Sequence, residues 1–158
     1  MRLKTGVLFA LMLWTACVMA LEGAEELYRQ AELEYRERNY DEAVTLLQQA
    51  ITEAPAVARY HHLLGKCFGR MAQTAGPFRA LSLATSTRRE FEKAVELDGE
   101  NIEALQDLME YYREAPGFLG GSREKADEIA KKLARLQAGA QQDSAGGGRQ
   151  KDLDSSVM

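Results

Sequence analysis

The stretch from Ala31 to Pro55, AELEYRERNYDEAVTLLQQAITEAP, limits the possible folds of this chain more than any other. Ala31 and Tyr35 lie one helical turn apart and share a face. Ala43, Leu47, Ala50 and Ile51 repeat at the same helical period after the break at Arg38-Asn39. The spacing therefore predicts two short amphipathic helices joined by a tight turn. The small residues allow the helices to approach closely, and Leu47 and Ile51 fill the space between them. Pro55 ends the second helix, because proline lacks an N–H and clashes with the preceding turn. One such hairpin cannot bury its own apolar face, so the remaining chain must supply partners.

Composition supports an all-helical reading. The 158 residues are 46% apolar and 28% charged, with only three prolines and few long Val/Ile/Thr-rich runs. The formal charge is −4. That balance argues against nucleic acid as a main partner, since phosphate binding needs a basic surface.

The positions Ala31, Tyr40, Ala43, Leu47, Ala50, Ile51 and Pro55 resemble one tetratricopeptide repeat, a helical hairpin of about 34 residues. The resemblance continues over residues 24–137. His61, Leu64, Gly65 and Phe68 match the first helix of a second repeat. Phe91, Ala94 and Val95 match its second helix, after roughly ten inserted residues near Met71 to Ala80. Ile102, Leu105, Leu108, Met109 and Tyr112 line one side of a third repeat's first helix, capped by Asn101. Ala126, Ile129, Ala130, Leu133 and Leu136 form the buried stripe of the last helix, capped by Ser122. Between them, APGFLGGS (Ala115 to Ser122) is longer than a normal repeat turn. With LLGKCFGRMA and FEKAVELD, it resembles a loop shared by small exported bacterial tetratricopeptide proteins. The resemblance implies an all-α fold: about three degenerate helical hairpins in a short right-handed α-solenoid.

Residues 1–20, MRLKTGVLFALMLWTACVMA, read as a secretory signal peptide with a basic start and an apolar run. Cleavage after Ala20 is the first reading. A lipoprotein anchored through Cys17 is the second, because Thr15-Ala16-Cys17 resembles a lipoprotein signal end; an uncleaved anchor is the third. All three place the domain, residues 21–137, in the periplasm or cell envelope. Residues 138–158, low in bulky apolar residues and rich in Gly, Ser, Gln and Asp, are expected to be disordered. Cys67 would be the only cysteine left unmodified, a small hydrophobe on a packed helix face.

The resemblance implies protein or peptide binding along the first helices of the repeats. The matching positions are Tyr28, Glu32, Tyr35 and Arg36, then His62, Lys66 and Arg70, then Met109, Tyr112 and Arg113. Basic residues beside aromatics would favour an acidic or C-terminal peptide. The family's carboxylate clamp carries an asparagine where Lys66 stands, so that specificity is not carried over. The chain is expected to be a non-catalytic adaptor or scaffold. Two alternatives stand beside it: a small-molecule binder of a solute-uptake system, with the insertions near Phe78 and Phe118 enclosing a cavity, and a self-associating structural protein.

No cofactor or metal is expected. His61 and His62 are adjacent and point about 100° apart on a helix, so they cannot chelate together. Leu64-Gly65-Lys66-Cys67 lacks the upstream glycine, the Ser/Thr and the strand of a P-loop. The Gly117 to Ser122 loop is expected to serve as a connection. No nucleophile–base order is supported by spacing.

Overall fold

The computed structural model describes residues 22–154. It contains six α-helices and no strand among the described residues. Helix α1 spans residues 22–36 and α2 Tyr40–Glu53. They are followed by α3 (Ala58–Thr74), α4 (Pro77–Leu97), α5 (Ile102–Glu114), a 3-10 turn (Gly117–Leu119) and α6 (Arg123–Asp154). The expected signal segment and Cys17 lie outside the described residues. The chain divides into two compact units between Gly99 and Glu100, inside the stretch read from the sequence as one domain.

The first unit is built as the 31–55 pattern predicts. Ala24, Ala31, Ala43, Leu47 and Ala50 are fully buried, and Tyr60, Leu63, Leu64 and Cys67 of α3 close the core over them. Arg38 makes the α1–α2 turn with φ 68°, and its N–H donates to the Tyr35 carbonyl at 3.1 Å. An arginine there carries a left-handed conformation that usually costs about 1–2 kcal/mol. Helix α2 ends at Glu53, just short of Pro55, as expected.

Helix α3 packs most extensively on α4. Gly65 allows this approach: a Cβ there would lie 2.6 Å from Cδ1 of Phe91 and 3.3 Å from the Thr87 carbonyl oxygen. The inserted residues do not form a long loop. They lengthen α3 to 17 residues and α4 to 21, leaving only Ala75 and Gly76 between them. Pro77 stands at the first turn of α4, where its missing N–H is not needed. Asp98 ends α4 in an extended conformation, its N–H donating to the Ala94 carbonyl at 2.9 Å.

The thiol of Cys67 is fully buried, and burial pushes its pKa up to about 12. A thiol held protonated and shielded reacts slowly. The native protein is therefore expected to resist a disulfide-exchange thiol reagent, reacting stoichiometrically only once denatured. Rapid native labelling would contradict the packing of α3.

In the second unit Ala104, Leu105, Leu108 and Tyr112 of α5 are buried, as are Ala126 and Leu133 of α6. Ile102, expected on the packed side, is exposed, while Ala104 is fully buried. Both expected caps form. The Asn101 side chain accepts from the Ala104 N–H at 3.0 Å, and Ser122 Oγ accepts from the Lys125 N–H at 3.3 Å. Helix α6 runs on to Asp154, where the sequence predicts disorder from Ala138. No proline follows Ser122 to stop it, and the alanines and glutamines of residues 138–145 are good helix formers, while Gly146 to Gly148 work against the helix.

A candidate peptide-binding face on the first unit

Helices α1 and α3 bring together the tyrosines and cations of the first unit. The Lys66 ammonium lies 5.6 Å from the centroid of the Tyr35 ring. Arg70 Nε donates to the Tyr35 hydroxyl at 3.5 Å. The ring's quadrupole attracts the Lys66 ammonium and the hydroxyl accepts from Arg70, so one tyrosine contacts two cations by different parts of its side chain. Tyr35 also packs against Tyr40, with centroids 5.5 Å apart.

A second cluster lies further along the same helices. Tyr28 stacks on Tyr60 at 5.1 Å, and its hydroxyl donates to Glu32 Oε1 at 3.3 Å. Burial and the neighbouring Glu32 carboxylate push the Tyr28 pKa up to about 12. The Arg59 guanidinium stands 5.3 Å from the Tyr28 ring centroid and 5.6 Å from that of Tyr60. It pairs with Glu25, which also accepts from the Tyr60 hydroxyl at 3.0 Å.

Five residues expected at a binding face thus fall into two contact clusters: Tyr35 with Lys66 and Arg70 across α1 and α3, and Tyr28 with Glu32, next to Tyr60 and Arg59 of α3. Arg36 is exposed near the end of α1. His62 is not on this face. It is buried with its ring 5.7 Å from Phe91, so it packs toward α4. Met109, Tyr112 and Arg113 belong to the second unit. There Tyr112 is buried in the α5–α6 core beneath the Lys125 ammonium, 5.1 Å from its centroid, while Arg113 is exposed.

Arg59 and Glu25 were missed from the sequence. Their signal is a separation of 34 residues, one repeat length, which puts opposite charges at matching positions of neighbouring helices. Phe78 and Phe118 are 87% and 79% exposed, so neither roofs a closed pocket. Among the described residues no group of three or more His, Cys, Asp or Glu could hold a metal ion. None of the described helices is long and apolar enough to cross a membrane.

No family model matches the chain, and no curated protein matches it. Solved structures do. Human IFIT1, a dimer with m7Gppp-AAAA, superimposes with a TM-score of 0.62 at 28% identity, over 71% of this chain and 24% of its own. MamA superimposes with a TM-score of 0.61 at 19% identity, over 76% of this chain and 61% of its own. A MamA RS-1 ArsTM double mutant gives 0.59 at 25% identity, over 77% and 58%. The chain thus spans less than two thirds of each. These similarities establish an all-α fold of the tetratricopeptide-repeat type.

Proposed function

We propose that this chain is a non-catalytic adaptor or scaffold of the bacterial cell envelope, binding an acidic or C-terminal peptide segment on its α1–α3 face. The observation that carries the reading is the convergence of Lys66 and Arg70 on Tyr35, across two helices 35 residues apart in sequence. The tyrosine pre-orders both cations, which lowers the entropy lost when carboxylates bind. The fold supports an interaction role, because helical repeats of this type present extended surfaces built from successive first helices. The capped RNA bound by IFIT1 belongs to a protein of which this chain matches 24%. The net charge of −4 favours a peptide over nucleic acid here.

The test is cross-linking in a bacterial envelope, followed by identification of what co-purifies. Lys66→Glu with Arg70→Glu is expected to weaken capture of the main partner by about tenfold or more, because like charges would then face its carboxylates. Lys132→Glu, on the exposed side of α6, should leave capture unchanged. If every partner stays bound to the double variant, the reading fails.

A further inference from the structure

The lengthening of α3 and α4 carries their junction toward the α1–α2 turn. An open cleft of about 660 Å³ lies there, lined by Arg38, Asp41, Glu42, Met71, Thr74 and Arg79 among others. Its charges balance, two arginines against two carboxylates. Arg79 and Asp41 pair across it at 3.5 Å, with side chains 66% and 86% exposed. Such a pair gains little where it stands, because water screens it. Next to Arg79, Phe78 projects with 87% of its surface exposed, and Leu81 one turn on is 42% exposed.

We propose that a second copy of this chain docks on this end of the first unit about a two-fold axis, each copy placing its Phe78 against the other's cleft. Phe78 directly precedes Arg79 of the cleft rim, so one isologous contact can bring each copy's knob to the other's cleft. The balanced rim meets itself with opposite charges aligned: Arg79 of one copy can face Asp41 of the other once water is excluded. An anionic bilayer would require an excess of basic residues beside the aromatic knob, and the cleft has none. An acidic peptide would meet Asp41 and Glu42.

Sedimentation velocity of the purified protein over a wide concentration range tests this. A monomer–dimer equilibrium is expected. Phe78→Ser removes two knobs per dimer and should weaken association on the order of a hundredfold. Phe118→Ser, at a similarly exposed phenylalanine of the other unit, should leave it unchanged. Arg79→Asp and Asp41→Arg should each weaken association alone, and their equimolar mixture should restore it, because only the mixed dimer pairs opposite charges at both contacts. All of these residues are largely exposed, so the variants keep the core intact. A monomer at every concentration would overturn the proposal. So would a dimer indifferent to Phe78→Ser, a mixture that fails to associate, or a monomer that binds phosphatidylglycerol vesicles through Phe78.

Discussion

Gly121→Ala is expected to destabilise the second unit by about 3 kcal/mol or more, the largest effect of any single methyl addition considered. A Cβ at Gly121 would stand 1.7 Å from the Ala115 carbonyl oxygen and 2.6 Å from its carbon. Those are backbone atoms, so no side-chain rotation relieves the clash. The loop must open instead. Opening it breaks the Gly121 N–H bond to the Pro116 carbonyl at 3.2 Å and the Ser122 N–H bond to the Tyr112 carbonyl at 2.8 Å. It also strains the Tyr111 hydroxyl's bond to the Leu119 carbonyl at 3.0 Å. These contacts set the start of α6 against α5.

The neighbouring glycines supply the controls. Gly120 has φ 88°, and Gly120→Ala should cost about 1 kcal/mol for the left-handed backbone alone. At Gly117 a Cβ meets nothing within 4 Å, and Gly117→Ala should be neutral within about 0.5 kcal/mol. Urea unfolding of the three variants gives the order directly. Equal losses at Gly117 and Gly121 would mean that the close approach of the Gly121 backbone to Ala115 does not exist in solution.

The loop also shows what sequence reading can and cannot reach. Three glycines and a proline announce a turn, and with Ser122 they predict a connection and a cap. They did not distinguish the glycine needed for its backbone angle from the one needed for space. That difference depends on a carbonyl six residues away. The 31–55 hairpin was legible because its partners are local: Ala31, Ala43, Leu47 and Ala50 are each fully buried as their spacing implies. Helix α3 was less legible. It is covered on more than one side, so the six consecutive residues Tyr60 through Gly65 are all buried, the two histidines included. His62 therefore looked like a groove residue when it is a core one. At the candidate face, Tyr35, Lys66 and Arg70 followed from repeat positions, while the Arg59–Glu25 pair needed comparison of one repeat with the next.

The second large effect concerns His61, and it was hidden for the same reason: its partner lies 29 residues away, beyond an insertion whose path the sequence did not define. His61 Nδ1 lies 2.8 Å from Glu90 Oε2, and its Nε2 lies 3.0 Å from the Pro55 carbonyl oxygen. His61 is 7% exposed and Glu90 9%. A carbonyl only accepts, and an ionised carboxylate only accepts. Both ring nitrogens must therefore donate, which requires the imidazolium. The hydrogen bond to Glu90 raises the His61 pKa above 6.5; burial opposes it, the Pro55 carbonyl and the Glu90 charge add to it, and Lys93 works against it. A neutral ring would leave one nitrogen's lone pair facing an acceptor. The pair ties α3 to α4 and to the end of α2, with Arg89 Nε donating to the other Glu90 oxygen at 3.4 Å.

Because the folded pKa is raised, this contribution is fully present below the unfolded value near 6.5 and is lost as pH rises through the folded value. Unfolding free energy of the first unit should therefore decline on the alkaline side of pH 6.5. Glu90→Ala should cost about 2–3 kcal/mol at pH 6, less than a fixed buried ion pair would, because His61 can shed its proton. Glu90→Gln keeps an acceptor oxygen and the shape while removing the charge, so it should cost less and flatten the pH slope. Chemical denaturation of the wild type and both variants from pH 5.5 to about 8.5 measures all three quantities. A slope that survives Glu90→Gln would assign the pH dependence to some other group and leave His61 as an ordinary neutral core residue.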